Sequence, residues 1–255
     1  MKHALVIGGA GGLGAALVAR LLDDGLEVSV AGRGPAADPR VRRSVPLDAT
    51  RADWPALLAD LQAGGAPPID VVVFVAGAAV FGRTPAVPVA EARQVLELNF
   101  WACSSAALAA GEAWSAAGRP GTFLAVLSIV ARRAVPFEAW YSASKAATAR
   151  FLECLQLEYE PRGIRFLAAY PGMLKTPFRR RAAWHGLAPD LSEAGADVRE
   201  TAAAVSALLR GRRKAAVIGW RERTIDLADR VLPGLYDRAV LRRRVRRTFP
   251  GGWKT

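Results

Sequence analysis

A glycine-rich turn between a strand-like run and a helix-like run constrains the fold most. The apolar run Ala4–Ile7 leads into Gly8, Gly12, Leu13 and Gly14 within the segment GGAGGLG, and an alanine- and leucine-rich stretch follows. Glycines at this spacing allow a tight turn, close approach of the backbone to a pyrophosphate and tight packing of helix on strand. The helix N-terminus adds partial positive charge. The turn therefore predicts dinucleotide binding, with a merely structural turn as the alternative.

Further aliphatic runs recur along the chain, and helical stretches separate most of them. They lie at 26–31, more weakly near 43–47, and at 69–75, 122–128, 164–170 and 214–218. This alternation is typical of a parallel sheet with helices on both faces. The sequence therefore predicts an α/β fold, a Rossmann-type doubly wound parallel sheet of about seven strands. No repeat or long linker divides the chain, so 1–255 is expected to form a single dinucleotide-binding domain.

The residues after the second and third strands bear on which dinucleotide fits. Rossmann sites that prefer NAD usually carry a carboxylate after the second strand, and this chain has Arg33 without one. Arg33 is suited to a 2′-phosphate through a charge-assisted contact, which favours NADP(H) over NAD(H). A solvated loop arginine is the alternative. Asp48 ends the third strand, where it meets the adenine edge or caps a helix.

Tyr141 and Lys145 form a YxxxK motif at the head of a predicted helix, so their side chains share one face. A phenol with a pKa near 10 is a poor proton donor at neutral pH, and a nearby ammonium lowers that pKa. Carbonyl reduction needs such an acid, and alcohol oxidation needs the same group as a base. Ser128 ends an earlier strand, at the edge where open α/β sheets bind ligands.

With these motifs in this order, the chain resembles the short-chain dehydrogenase/reductase family over nearly its whole length. The matching residues are Gly8, Gly12, Gly14, Asp48, Ala76, Gly77, Asn99, Ser128, Tyr141, Lys145, Pro171, Gly172 and Thr176. One departure stands after the fourth strand. The family often reads Asn-Asn-Ala-Gly there, whereas this chain has Phe74-Val75 before Ala76-Gly77. Cofactor contacts at that turn are therefore expected from the backbone.

The resemblance implies a role for each catalytic residue. Tyr141 would be the general acid/base, and Ser128 would polarise and orient the substrate oxygen. Lys145 would lower the tyrosine pKa and hold the nicotinamide ribose, while Asn99 would position a water that links the lysine to solvent. A strand-end cap for Ser128 and a buried polar group at a helix kink for Asn99 are the alternatives. The resemblance also implies that Gly172 and Thr176 border the nicotinamide.

The segment 173–193 resembles the family's mobile substrate lid. It combines Phe178 and Trp184 with Arg179–Arg181. These arginines are expected either to contact an anionic substrate or to face solvent. The expected site is flanked by apolar side chains at Val80, Phe81, Val135, Phe137, Trp140, Phe178 and Trp184. We therefore expect a hydrophobic ketone, such as a 3-oxoacyl compound, or the corresponding alcohol in the reverse direction.

The net charge of +12 is concentrated near the C-terminus, where 175–255 holds 19 Lys and Arg against 8 Asp and Glu. The segment 221–247 is predicted to be a basic helical extension that covers the substrate pocket or a partner subunit, or contacts anionic lipid. The family resemblance implies a homodimer or homotetramer. Nucleic acid is not an expected partner, because no aromatic residue interleaves the charges within 238–247.

The two cysteines, Cys103 and Cys154, lack metal-site spacing, so no metal is expected and a reducing cytoplasm suits them. Peripheral membrane association is the alternative location. The N-terminus has no signal-peptide pattern. A regulator or scaffold on the same fold is the alternative to an enzyme, and it ought to have lost some of Asn99, Ser128, Tyr141 and Lys145.

Overall fold

The computed structural model describes residues 2–188, 194–232, 234, 242 and 245. Within these residues the strands are β1 (His3–Ile7), β2 (Glu27–Gly32), β3 (Arg43–Pro46), β4 (Ile69–Phe74), β5 (Val80–Gly82), β6 (Gly121–Val126), β7 (Ile164–Pro171), β8 (Ala183–His185) and β9 (Ala215–Ile218). The α-helices are α1 (Gly12–Asp23), α2 (Trp54–Leu61), α3 (Val89–Leu96), α4 (Cys103–Ala116), α5 (Ala139–Tyr159), α6 (Phe178–Arg181), α7 (Val198–Arg210) and α8 (Trp220–Val231).

Seven of these strands form one parallel sheet in the order β3-β2-β1-β4-β6-β7-β9. The chain moves outward from β1 to β3, returns to the other side of β1 at β4, and then moves outward again. The sheet is therefore Rossmann-type and doubly wound, which confirms the predicted fold class. Sheets of this kind bind ligands outside the carboxyl ends of the strands, where the winding direction changes. Here that place lies beyond β1 and β4.

Both faces of the sheet are covered, which explains why its strands are apolar throughout. Successive side chains of a strand point to opposite faces. Leu5 and Ile7 pack with residues of α2, α4 and α5, whereas Ala4 and Val6 pack with residues of α1 and α7. All four side chains are almost completely buried. Burial of aliphatic surface on this scale is the main driving force that holds the helices on the sheet.

One helical region departs from regular α geometry. Between α3 and α4 the chain forms a π-helical segment, Glu97–Ala102, which contains Asn99. Such segments are rare in proteins, and those that occur often lie at functional sites. Among the described residues, no helix is both long enough and apolar enough to cross a bilayer.

Candidate active site

The glycine turn after β1 has a backbone that only glycine fits. Gly8 and Gly12 have φ angles of +91° and +55°, a region that side chains disfavour. A Cβ added to Gly14 would overlap the carbonyl oxygen of Gly8, and one added to Gly8 would lie 2.6 Å from the nitrogen of Ala76. Leu13 is buried in the first turn of α1. The turn thus brings the N-terminus of α1 close to the end of β4, a cradle that fits a dinucleotide pyrophosphate.

The turn after β7 meets this glycine turn. β7 ends at Pro171, and the side chain of Thr176, five residues later, lies beside Gly12, where an added Cβ would be 3.5 Å from Thr176 Cγ2. Gly172 lies against α8, since a Cβ there would overlap the Glu222 carboxylate. Two segments that the sequence predicts to bind the dinucleotide are therefore neighbours, although they lie more than 150 residues apart in the chain.

Arg33 and Asp48 lie together beyond β2 and β3. The Asp48 carboxylate accepts hydrogen bonds from Thr50 Oγ1 at 2.8 Å and from Thr50 N at 3.0 Å, and so caps a short 3₁₀ turn. These hydrogen bonds lower the pKa of Asp48, and the nearby charges of Arg51 and Arg33 lower it further. The capping role, which was the alternative for Asp48, is present. Both side chains remain exposed.

Tyr141 and Ser128 come together under the lid segment. Tyr141 is 8% exposed, and the Ser128 side chain lies near enough to its hydroxyl to influence its pKa. Ser128 follows β6 and also accepts a long hydrogen bond of 3.4 Å from Val130 N. Burial raises the pKa of Tyr141, and the charge of Glu138 adds to that rise. The nearby Ser128 side chain and the charge of Arg179 oppose it. Two hydroxyls therefore converge at the carboxyl edge of the sheet.

Lys145 lies one helical turn after Tyr141. Its ammonium donates to Val126 O at 3.2 Å and lies 5.9 Å from the centre of the Tyr141 ring. Burial lowers the pKa of Lys145 to about 8. The sequence led us to expect that this ammonium lowers the tyrosine pKa, whereas the pKa of Tyr141 is raised in this structure, chiefly by burial. Both groups are buried, and loss of solvation disfavours the charged form of each.

Asn99 ties three segments together. Its Oδ1 accepts from Ala78 N at 2.9 Å, and its Nδ2 donates to Ala78 O at 2.8 Å and to Ser144 Oγ at 2.9 Å. Thr148 Oγ1 donates to the Asn99 carbonyl at 2.9 Å. Asn99 thus has the features of its alternative role, a buried polar group at a helix irregularity. A Cβ on Gly77 would lie 3.3 Å from Asn99 Oδ1 and 3.4 Å from Lys145 Nζ, so Gly77 leaves room between the two.

The predicted lid lies over Tyr141, with 189–193 outside the described residues. Its strand β8 pairs in parallel with β5 as a separate two-stranded sheet. The ring of Phe178 lies 5.8 Å from that of Tyr141, and Phe81 of β5 lies 6.1 Å away on an edge-to-face contact. Val135 and Trp184 pack on the same cluster. By contrast, Val80 and Trp140, predicted to flank the site, pack against α3.

The sequence reasoning missed an ion pair beside this cluster. Arg179 donates to the carboxylate of Glu138 at 3.3 Å, and its guanidinium lies 4.4 Å from the centre of Phe81 and 5.1 Å from that of Trp184. Both charged side chains are mostly buried. We expected Arg179 to contact an anionic substrate or to face solvent. Instead, Arg179 pairs with Glu138 of the same chain. No spacing rule links the two positions, although Glu138 immediately precedes the helix that carries YxxxK.

Comparison with known proteins settles the family. Residues 2–185 match the family model described as short chain dehydrogenase. The chain belongs to the short-chain dehydrogenase family. It is 33% identical over 193 residues to an uncharacterized oxidoreductase of Myxococcus xanthus, covering 69% of this chain and 73% of that protein. It is 30% identical over 181 residues to a cyclic-di-GMP-binding biofilm dispersal mediator protein of Escherichia coli, covering 69% and 74%.

A solved structure extends the likeness of this short-chain dehydrogenase beyond the matched region. A short-chain dehydrogenase of Burkholderia cenocepacia, crystallised in complex with NADP, superposes with a TM-score of 0.78 at 28% identity. The alignment covers 94% of this chain and 99% of that one. The chain is thus a member of an oxidoreductase family, and one of its solved relatives was crystallised with NADP.

Proposed function

We propose that this short-chain dehydrogenase is an NADPH-dependent reductase of hydrophobic ketones, or the corresponding alcohol dehydrogenase in the reverse direction. The observation that carries the proposal is the convergence of the buried Tyr141 and Ser128 side chains, with Lys145 one helical turn away. Two hydroxyls at one point are suited to a substrate oxygen that must be both oriented and protonated.

The residues around the glycine turn would hold the dinucleotide, which when bound supplies or accepts the hydride. Gly8, Gly12, Leu13 and Gly14 would receive the pyrophosphate at the N-terminus of α1. The remaining contacts would come from Arg33, Asp48, Ala76, Gly77, Tyr141, Lys145, Pro171, Gly172 and Thr176. Exposure of Arg33 beside Asp48 supports a 2′-phosphate contact, and a structural neighbour at 28% identity was solved with NADP.

Each catalytic side chain has a defined task in this proposal. Ser128 orients the carbonyl oxygen through a hydrogen bond, and Tyr141 transfers its phenolic proton to the same oxygen during reduction. The same phenol, once deprotonated, accepts the proton of the alcohol in the reverse reaction. Lys145 returns a proton toward Tyr141, and Asn99 holds the helix that carries both residues. The lid excludes water from these groups, which strengthens their electrostatic interactions.

The apolar cluster on Tyr141 supports a hydrophobic substrate, for example a 3-oxoacyl compound. Phe81, Val135, Phe178 and Trp184 surround the phenol, and the charged pair beside it, Arg179 with Glu138, is already formed. A small polar sugar would leave its hydroxyls without partners against these side chains, which costs binding free energy.

The remaining proposals concern organisation and location. We propose that 1–255 forms one domain, with 173–193 as the substrate lid, and that the protein works as a homodimer or homotetramer in the cytoplasm. The basic segment 221–247 would contact anionic membranes peripherally. The part of this segment beyond 232 lies almost entirely outside the described residues.

Nicotinamide absorbance tests the reductase activity directly. Purified protein is supplied with NADPH or NADH and a panel of alkyl and aryl ketones, with Tyr141→Phe and Ser128→Ala as variants. We expect turnover with NADPH, a loss of several orders of magnitude in Tyr141→Phe and a smaller loss in Ser128→Ala. Tyr170→Phe, a buried tyrosine of β7, is the matched control. If Tyr141→Phe retains most of the turnover, the assigned acid/base is wrong.

The second candidate function is a nucleotide-binding regulator. It is favoured by the 30% identity to the biofilm dispersal mediator, whose name describes binding of cyclic-di-GMP. Titration of the chain with cyclic-di-GMP and with NADPH, followed by calorimetry, separates the two. Binding of the cyclic dinucleotide without ketone turnover would favour the regulator.

A further inference from the structure

The helix α8 turns its acidic side chains toward the protein body. Asp226 accepts from Arg132 at 2.5 Å, and Asp229 pairs with Arg133 at 3.2 Å. Both arginines follow Ser128 in the turn after β6. At the first turn of α8, the Glu222 carboxylate lies against Gly172. The three acidic residues of this fully described helix are therefore directed to the body, close to the candidate active site.

The opposite face of α8 carries an apolar stripe. Trp220, Leu227 and Val231 are 74%, 62% and 66% exposed, and Leu232 directly after the helix is 54% exposed. Residues seven and eleven positions apart project from one side of a helix with 3.6 residues per turn. None of the twelve residues of α8 is fully buried. Large apolar side chains that are aligned and exposed in this way mark a surface that another phase or molecule covers.

Arginines border the stripe. Arg221 lies over the Trp220 ring with its guanidinium 5.3 Å from the ring centre, and Arg223 is exposed on the same helix. Arg230 is also exposed and pairs with Asp226 at 3.2 Å. Because the acids are directed inward, the outer surface of α8 is apolar and positively charged although the helix has as many acids as arginines. The chain then continues through 233–255, which holds seven basic residues and one acidic residue.

We propose that this α8 stripe is a docking surface for an anionic lipid bilayer. An apolar face bordered by arginines is the arrangement that places a helix in the membrane interface, where the side chains enter the acyl boundary and the cations meet lipid phosphates. A second copy of the chain fits less well, because apposed α8 surfaces would bring like charges together. The inference refines the membrane contact proposed above for 221–247 and is independent of catalysis.

The contacts of α8 give this docking a consequence for the site. Asp226 anchors α8 to the turn after Ser128, and Glu222 anchors it to the turn that contains Gly172. A bilayer docked on α8 would therefore be separated by one helix from the turns that contain Ser128 and Gly172.

Vesicle co-sedimentation of the full chain tests the inference. The vesicles are phosphatidylcholine alone, or phosphatidylcholine with phosphatidylserine. We expect binding to the anionic vesicles, and a fall in the partition coefficient of about 100-fold in Leu227→Ser/Val231→Ser, from the lost apolar burial. For Arg221→Gln/Arg223→Gln, the partition coefficient on anionic vesicles should fall about 30-fold, because each arginine contributes about fivefold.

The controls are exposed positions on other helices. Leu157→Ser on α5, where the leucine is 69% exposed, and Arg93→Gln/Arg150→Gln should bind as the unchanged protein does. The inference is overturned if the α8 variants bind as tightly as these controls, since 233–255 would then carry the contact. It is also overturned if the unchanged protein leaves anionic vesicles unbound, or if sedimentation velocity shows that the α8 variants only dissociate an oligomer. Ketone turnover without vesicles reports the proposed activity separately.

Discussion

Replacing Lys145 by methionine is expected to stabilise this short-chain dehydrogenase while abolishing its turnover. Lys145 is 4% exposed, and burial lowers its pKa from 10.5 to about 8. A lowered lysine pKa means that the unfolded chain binds the proton more tightly than the folded one, so the ammonium costs folding free energy at neutral pH. At 1.36 kcal/mol for each pKa unit, this cost is about 3 kcal/mol. Methionine is apolar and unbranched, so it fills the same space without that cost.

The pH dependence follows from the same shift. The cost is complete below about pH 8, and it disappears as the pH rises toward 10.5, where the lysine is neutral in both states. The variant should therefore be more stable at pH 7, and the difference should shrink between pH 8 and 10.5. For a chain of this length, about 3 kcal/mol corresponds to a rise of roughly 6 to 12 °C in Tm.

Thermal and guanidinium unfolding at pH 7 and pH 10.5, followed by circular dichroism, measure this difference. Lys175→Met is the control, because Lys175 is exposed and its removal should leave the free energy of unfolding nearly unchanged. A Lys145→Met variant that is no more stable than the original at pH 7 would refute the reasoning. A gain of equal size at both pH values would also refute it, since the gain would not come from the charge.

Three further predictions concern the cofactor and the lid. Gly14→Ala should reduce NADPH affinity by at least about tenfold in fluorescence titration, because its Cβ overlaps the Gly8 carbonyl and displaces the turn. The control is Gly118→Asn, since Gly118 has no neighbouring atoms within 4 Å and asparagine tolerates its φ of +58°. Arg33→Ala should lower the ratio of kcat/KM for NADPH to kcat/KM for NADH by about 10- to 100-fold, because one charge-assisted contact to the 2′-phosphate is lost. An unchanged ratio would exclude this phosphate contact. Arg179→Met should shift the pH profile of alcohol oxidation to higher pH, and Glu138→Gln should shift it to lower pH. The reason is that these two charges move the Tyr141 pKa in opposite directions, and oxidation needs the deprotonated phenol. Shifts of both profiles in the same direction would contradict this prediction.

Prediction from sequence succeeded where the information is local. The strands of the seven-stranded sheet, the glycine turn and the YxxxK helix depend on residues close in the chain, so periodicity and spacing are sufficient. The three-residue strands β5 and β8 were not predicted. The lid arginine could not be placed in this way, because its partner Glu138 lies 41 residues earlier and the contact forms only when β8 pairs with β5. The direction of the Tyr141 pKa shift could not be predicted for a similar reason, since burial is a property of the whole fold and not of a helical spacing.

The sequence by itself determined the doubly wound sheet, the glycine turn that fits a dinucleotide and the pairing of Tyr141 with Lys145 on one helix face, since each follows from short-range sterics and periodicity. The tertiary structure alone decided what surrounds that pair. It removes both groups from solvent, and it places Ser128 and Arg179 near the phenol. It also directs the acids of α8 inward, which leaves an apolar, positively charged face that the neutral composition of the helix conceals. The physical reason is that desolvation and long-range electrostatics depend on which distant residues pack together.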